Sequence, residues 1–157
     1  MNILFSENKF FENELTKGSS DQVFKANILP LICYEVIFPN FVRNSISNNT
    51  NLLVNISNDA WFGNFSGPSQ HFTHALFRSI ELGIPLVRSS NKGFSGLISP
   101  IGEILNVTNI GKTTYLDVKI PKKLETTVYR EYGNLLAYFL IVLFFIIGYA
   151  IRFKQDS

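Results

Sequence analysis

The stretch ANILPLICYEVIFP occupies residues 26–39 and contains the transition on which the fold depends. Its first seven residues are mostly apolar and predict a short buried strand that ends directly before Cys33. Pro39 suits an early helical turn, because proline lacks the amide proton that the first turn of a helix leaves unpaired anyway. The stretch therefore predicts a strand, a sharp turn at Cys33 and a helix.

The next segment repeats this order of strand and helix. Residues 52–56 form a second short apolar run between polar flanks, as expected for a buried strand. Pro68 is expected to open a helix and Gly83 to close it. Between them, apolar side chains recur at the helical spacing of four residues, at Phe72, Leu76 and Ile80.

The later part of the domain is predicted to contain four more strands, at residues 85–88, 96–98, 103–107 and 114–120. Residues 99–102 read SPIG and predict a tight turn between the second and the third of them. The fold class is therefore α/β, with a layered mixed sheet whose early strand pairs are parallel and whose later pairs are antiparallel.

The clearest signal near the carboxy end is residues 135–151, a run of 17 residues without a charged side chain. As a helix it would span about 25 Å, close to the thickness of the hydrocarbon core of a bilayer. Tyr132 before the run, and Tyr149 and Arg152 at its far edge, are typical of interfacial anchors. The run predicts a transmembrane helix; the alternative is a buried core helix.

Composition narrows the classes of partner and cofactor. The formal net charge is +2, and the basic residues are too dispersed for the cationic face that a nucleic acid requires. Cys33 is the single cysteine, so it can form neither an intrachain disulfide nor a zinc site with a second thiolate. His71 and His74 could share a helical face but form only a weak metal motif. We expect no metal and no cofactor.

Cys33 itself has two interpretations. At the start of a helix, amide groups and the helix dipole favour a thiolate and can hold a developing oxyanion, so Cys33 could be a nucleophile. Equally, free cysteine is among the most buried residue types and could serve packing alone. Glu35 could hydrogen-bond within such a site, or could be a capping or solvated carboxylate of the first turn.

The loop after the second strand would face the same crevice as Cys33. Residues 58–63 read NDAWFG, and ligands of α/β sheets gather where strands end. Trp61 and Phe62 could form an apolar wall for an acyl chain, or could be core or membrane-surface aromatic side chains.

Five segments carry a resemblance to a known family. They are ICYE (32–35), ISNDAWFG (56–63), GPSQH (67–71), RSIEL (78–82) and PLVRSSNKG (85–93). In order and spacing they resemble the bacterial apolipoprotein N-acyltransferases, in which a nitrilase-like αββα domain is inserted in a bundle of membrane helices. The resemblance implies the carboxy-terminal part of such an enzyme. Its parts would be a weakly matched lead-in over residues 1–25, a partial nitrilase-like αββα sandwich over 26–128 and one transmembrane helix over 135–151.

The resemblance also implies an activity. Cys33 would attack a phospholipid ester and hold the acyl group as a thioester, which the amino group of a diacylglyceryl-modified lipoprotein then resolves. Supporting or substrate-binding roles would fall to Tyr34, Glu35, Asn58, Trp61 and Phe62. The location would be the bacterial inner membrane, with the soluble part on the periplasmic side.

The family also uses a glutamate base and an oxyanion-stabilising lysine, and neither motif is recognisable before Cys33. A separately encoded amino-terminal part could supply both, and the chain alone would then be inactive. Two alternatives are a different amide hydrolase of the same superfamily and a non-catalytic, tail-anchored remnant. The terminal run and the Trp61–Phe62 pair argue against the hydrolase, because a small polar substrate needs neither.

Overall fold

The computed structural model describes residues 2–6, 23–63, 66–108, 110 and 114–155. The elements, in chain order, are strand β1 (Asn2–Ser6), strand β2 (Val23–Ile32), 3₁₀ helix η1 (Cys33–Ile37), helix α1 (Pro39–Ser45), strand β3 (Leu52–Asn58), 3₁₀ helix η2 (Asp59–Phe62), helix α2 (Gly67–Leu82), strand β4 (Leu86–Asn91), strand β5 (Gly96–Ile98), strand β6 (Ile104–Val107), helix α3 (Val128–Tyr132) and helix α4 (Leu135–Gln155).

The strands form one sheet in the order β1-β2-β3-β4-β5-β6. The pairs β2–β3 and β3–β4 are parallel, whereas β4–β5 and β5–β6 are antiparallel, which confirms the predicted change of direction. Strand β1 pairs antiparallel with β2. It lies within the segment expected as a lead-in, most of whose remainder, residues 7–22, lies outside the described residues.

The core lies between one face of the sheet and helices α1 and α2. Leu31, Leu53 and Leu86 come from the three parallel strands, and Val42 and Phe72 come from the two helices. Helix α2 has proline in its first turn, as predicted. It ends at Gly83, whose φ of 65° is a left-handed conformation that glycine adopts without steric cost. This packing holds the carboxyl ends of β2 and β3 close to the first turn of α2.

The predicted strand over residues 114–120 is wrong. The structure shows no helix or strand in this described segment. Thr114, Leu116 and Val118 instead line a cavity of about 620 Å³ together with residues of β4 and β5. The segment therefore lies beside β4 and β5 across this cavity and does not extend the hydrogen-bonded ladder.

Helix α4 contains the whole of the predicted terminal run. Its large apolar side chains are exposed, including Phe144 at 71%, Phe145 at 76% and Tyr149 at 68%. Across the described ranges, no helix meets the length and hydropathy needed for crossing a membrane, so the predicted transmembrane span is not confirmed.

The segment before α4 is tied to the domain through Arg43 on α1. The Arg43 guanidinium donates to the carbonyl oxygens of Tyr129 and Arg130, at 3.0 Å each, and of Glu131, at 2.7 Å. Lys123 Nζ donates to two further carbonyls, those of Asn48 and Thr50. These contacts fix the start of α4 relative to α1.

Candidate functional site

Cys33 lies at the junction of β2 and η1 in a left-handed backbone conformation, with φ at 51°. For a residue other than glycine this conformation costs roughly 1–2 kcal/mol, so surrounding contacts must hold it. The side chain is half-buried. The predicted sharp turn between strand and helix is therefore present and contains the single thiol of the chain.

The Glu35 side chain stabilises this turn. Its Oε2 accepts a hydrogen bond of 2.6 Å from the backbone amide of Ile32, the residue directly before Cys33. Of the two interpretations of Glu35, the structure displays the capping contact.

The carbonyl oxygen of Cys33 is held by two side chains from the core. Asn55 Nδ2 lies 3.3 Å from it and His71 Nε2 lies 3.2 Å from it. Asn55 belongs to β3, the strand next to β2, and its Nδ2 also donates to the carbonyl of Leu31 at 2.9 Å. The turn is thus attached to two neighbouring elements, β3 and α2.

A buried ion pair lies beneath these donors. Arg88 Nη2 is 2.8 Å from Asp59 Oδ2 and 3.0 Å from Asp59 Oδ1, and both side chains are fully buried. Arg88 Nη1 also donates to Asn55 Oδ1. Leu31, Asn55 and Arg88 are partners in the register of three adjacent strands, which explains why the guanidinium reaches the amide.

Burial and charge set the protonation states of this network. Burial by itself raises the pKa of Asp59, but hydrogen bonds from Ser57 and Arg88, together with the charge of Arg88, lower that pKa below its usual value. Burial, and next the charge of Arg88, lower the pKa of His71. Asp59 is therefore a carboxylate and His71 a neutral imidazole near pH 7.

Both ring nitrogens of His71 have hydrogen-bonding partners. Nε2 lies 3.2 Å from the Cys33 carbonyl oxygen, and Nδ1 lies 2.9 Å from Asp59 Oδ1 and 3.1 Å from Arg88 Nη2. The carbonyl and the carboxylate can only accept, so a neutral ring donates to one of them at a time. In the Nε2–H tautomer the ring donates to Cys33 and Nδ1 accepts from Arg88, whereas in the Nδ1–H tautomer the ring donates to Asp59.

Ser57 connects the network to the sulfur. Its Oγ lies 2.7 Å from Asp59 Oδ1 and 3.6 Å from Cys33 Sγ. A hydroxyl has one proton, and the charged carboxylate at the shorter distance takes it. The Ser57 oxygen is then left to accept from the Cys33 thiol.

The predicted aromatic residues divide into two groups. Tyr34 stacks on His71 with ring centroids 5.1 Å apart, and Phe62 meets both rings at 5.9 and 5.8 Å. Trp61 is 84% exposed and stands apart from this cluster. Asn58 caps η2 by accepting from the amide of Ala60 at 3.2 Å. Tyr34 and Phe62 therefore flank the Cys33 turn, whereas Asn58 shapes the loop.

The sequence contains a signal for this buried network. Asn55 and Ser57 are polar residues two apart at the end of an apolar run, which places both on one face of a strand. Arg88 ends another predicted buried strand, and a buried charge needs a buried partner of opposite sign. The sequence offers no comparable signal for His71 beyond its weak metal motif and its place in the GPSQH segment, and among the described residues there is no cluster that could hold a metal ion.

Replacing Gly93 with alanine is expected to destabilise the protein by about 1–3 kcal/mol, as an overpacked core does. A Cβ at Gly93 would collide with Asp59 Oδ2 and lie 2.5 Å from Ser90 Oγ. Asp59 cannot yield easily, because Arg88 Nη2 binds the same Oδ2 atom at 2.8 Å. Urea denaturation followed by circular dichroism measures the loss. Equal stabilities of the variant and the wild type would show that the carboxylate can move.

The sequence is similar to one family model and to several curated proteins. The family model described as carbon-nitrogen hydrolase matches residues 4–129. The apolipoprotein N-acyltransferase of Rickettsia bellii is 36% identical over 146 residues, which cover 90% of this chain and 29% of that protein. The apolipoprotein N-acyltransferases of Rickettsia prowazekii and Wigglesworthia glossinidia are 41% and 37% identical, over 85% and 92% of this chain and 27% and 28% of theirs. The chain thus spans less than a third of the length of these relatives.

Proposed function

Because the chain belongs to the carbon-nitrogen hydrolase family, we propose that Cys33 is the nucleophile of an acyl transfer, and that the acyl donor is a phospholipid. The observation that carries this proposal is the setting of the thiol. It is half-buried in a left-handed turn at the end of a central parallel strand. Such strained, over-determined turns cluster at active sites.

The reaction has two steps. The Cys33 sulfur attacks the ester carbonyl, the ester C–O bond breaks, and the lysophospholipid leaves with the thiol proton. The amine of a diacylglyceryl lipoprotein then attacks the thioester, the C–S bond breaks, and the thiol is regenerated. The apolar rings of Tyr34 and Phe62 beside the turn, and exposed Trp61 beyond them, offer contacts for an acyl chain.

The family's glutamate base and lysine have no recognisable match in this sequence. We therefore expect acylation by this chain alone to be slow, by about 10²–10⁴ for the missing base and about 10²–10³ for the missing oxyanion donor. A separately encoded part that supplies both groups would restore the rate.

The test is a single-turnover acylation in phosphatidylethanolamine vesicles. The expected product is an acyl adduct on the peptide that contains Cys33, removed by hydroxylamine and accompanied by lysophospholipid. Mass spectrometry after long incubation detects even slow formation. An acyl adduct on another residue would overturn the proposal. Hydrolysis of a short amide at a rate that does not change when phospholipid is added would also overturn it and would favour a hydrolase.

We further propose that α4 inserts into a lipid bilayer, with the Cys33 domain on the periplasmic side of the inner membrane. The support is the exposure of its apolar side chains on all sides of the helix, which include Leu136, Phe139, Ile141, Phe144, Phe145 and Tyr149. Water is a poor solvent for such a surface, and a lipid phase matches it.

Replacing Phe144 with lysine is expected to weaken membrane binding by about 3 kcal/mol, or roughly 100-fold, the cost of a lysine at a helix centre. Flotation of the protein with vesicles measures the bound fraction. The control is Phe77→Lys, the same change at a half-exposed position of α2. If both variants float like the wild type, α4 does not hold the protein on the membrane.

A further inference from the structure

We propose that His71 and Asn55 are positioning residues that hold the Cys33 turn by its backbone carbonyl, and that Arg88 sets the direction of both donors. The proposal rests on the proposed function only in taking Cys33 as the nucleophile. Neither donor contacts the sulfur in the structure, so both act through the backbone of Cys33.

The Cys33 turn needs support from its surroundings. With φ at 51°, Cys33 occupies a conformation that its own side chain disfavours. Asn55 Nδ2 and His71 Nε2 lie 3.3 and 3.2 Å from its carbonyl oxygen. Two donors on this carbonyl offset the strain, and Cys33 Sγ lies 3.6 Å from Ser57 Oγ.

Arg88 directs the two donors. An amide and an imidazole can each present either a donor or an acceptor, so a donor pair aimed at one carbonyl must be specified. Arg88 only donates, and its Nη1 binds Asn55 Oδ1, which turns Nδ2 to the Cys33 carbonyl. Its Nη2 lies 3.1 Å from His71 Nδ1 and thereby favours the tautomer in which Nδ1 accepts and Nε2–H donates to that carbonyl, over the tautomer in which Nδ1 donates to Asp59.

The side chains that support the turn are held rigidly by burial. Arg88, Asn55 and Asp59 are between 0 and 1% exposed, and His71 is 3% exposed. Asp59 neutralises Arg88 and also accepts from Ser57, whose Oγ lies 3.6 Å from the sulfur. One buried ion pair therefore fixes both the carbonyl and the thiol of Cys33. A displacement of about 1 Å at a reacting group can cost on the order of 10²-fold in rate.

The single cysteine allows a direct test. Labelling with [1-¹³C]cysteine gives one carbonyl resonance, that of Cys33, whose chemical shift reports its hydrogen bonds and backbone angles. The variants are His71→Phe, which keeps a ring but no donor, and His71→Gln, whose amide nitrogen lies near the position of Nε2. The matched control is His74→Phe, an exposed position of the same helix.

We expect the resonance to move upfield in His71→Phe, to return towards its wild-type position in His71→Gln and to stay unchanged in His74→Phe. Single-turnover acylation should fall about 10–10²-fold in His71→Phe and recover in His71→Gln. Should His71→Phe fail to fold, His71→Asn replaces it, because its shorter amide cannot reach the Cys33 carbonyl.

Two results would overturn the proposal. One is an unmoved resonance in His71→Phe, and the other is an equal shift in the Phe and Gln variants. If the resonances behave as expected but even the wild type forms no thioester, the carbonyl contact stands and the proposed acyl transfer fails.

Discussion

Replacing Cys33 with glycine is expected to abolish the acyl-thioester and to yield a protein more stable than the Cys33→Ala variant. Both variants lack the sulfur, so neither can carry the acyl group. They differ in the backbone, because alanine keeps the strain of the left-handed conformation at φ 51° and glycine does not. The strain is roughly 1–2 kcal/mol, whereas glycine loses about 0.5–1 kcal/mol more entropy on folding. The free energy of unfolding of the glycine variant should therefore exceed that of the alanine variant by about 0.5–1 kcal/mol.

Urea denaturation of the two variants measures this difference, and mass spectrometry after incubation with phosphatidylethanolamine measures the loss of the adduct. The comparison is matched because both substitutions remove the same side chain. An acyl adduct that persists in either variant would assign the chemistry to another residue. A glycine variant less stable than alanine would show that the turn is not strained.

Replacing Arg88 with methionine is expected to cost about 3–5 kcal/mol of stability, the largest loss that we expect for any single substitution. Methionine fills much of the volume but leaves the Asp59 carboxylate buried without its countercharge. Asn55 and His71 lose their donor at the same time. The midpoint of urea unfolding, followed by circular dichroism, reports the loss.

The double variant Asp59→Asn with Arg88→Met is the control, because it removes both charges together. It should be less destabilised than Arg88→Met alone, since no unpaired charge remains in the core. A loss of less than about 1 kcal/mol in Arg88→Met would mean that water reaches Asp59, contrary to its full burial.

Local patterns in the sequence predicted much of the fold. The strand, turn and helix over residues 26–39 and the ends of α2 at Pro68 and Gly83 follow from apolar spacing and from the backbone preferences of proline and glycine. The change from parallel to antiparallel pairing followed from the lengths of the connections, since helices separate the early strands and a tight turn joins the later ones.

Other features depend on contacts between distant residues. An alternating pattern at 114–120 predicts a strand, but the pattern does not say whether the segment pairs with the sheet edge or lies against its side chains. The sharp turn at Cys33 was predicted from the sequence, whereas the buried side chains that hold the turn were not. Asn55, Asp59, His71 and Arg88 lie on four different elements. The register of β3 and β4 pairs Asn55 with Arg88, and the tertiary placement of η2 and α2 adds Asp59 and His71.

The contact between Arg43 and the end of α3 has a mechanical consequence. Arg43 lies on the helix that follows the Cys33 turn, and it binds three carbonyls just before α4 begins. If α4 lies in a bilayer, the contacts of Arg43 and Lys123 would link the distance between the Cys33 thiol and the lipid surface to the position of α4. A change in the tilt of α4 would then move the Cys33 turn and would change the depth in the membrane at which the sulfur can reach an ester bond.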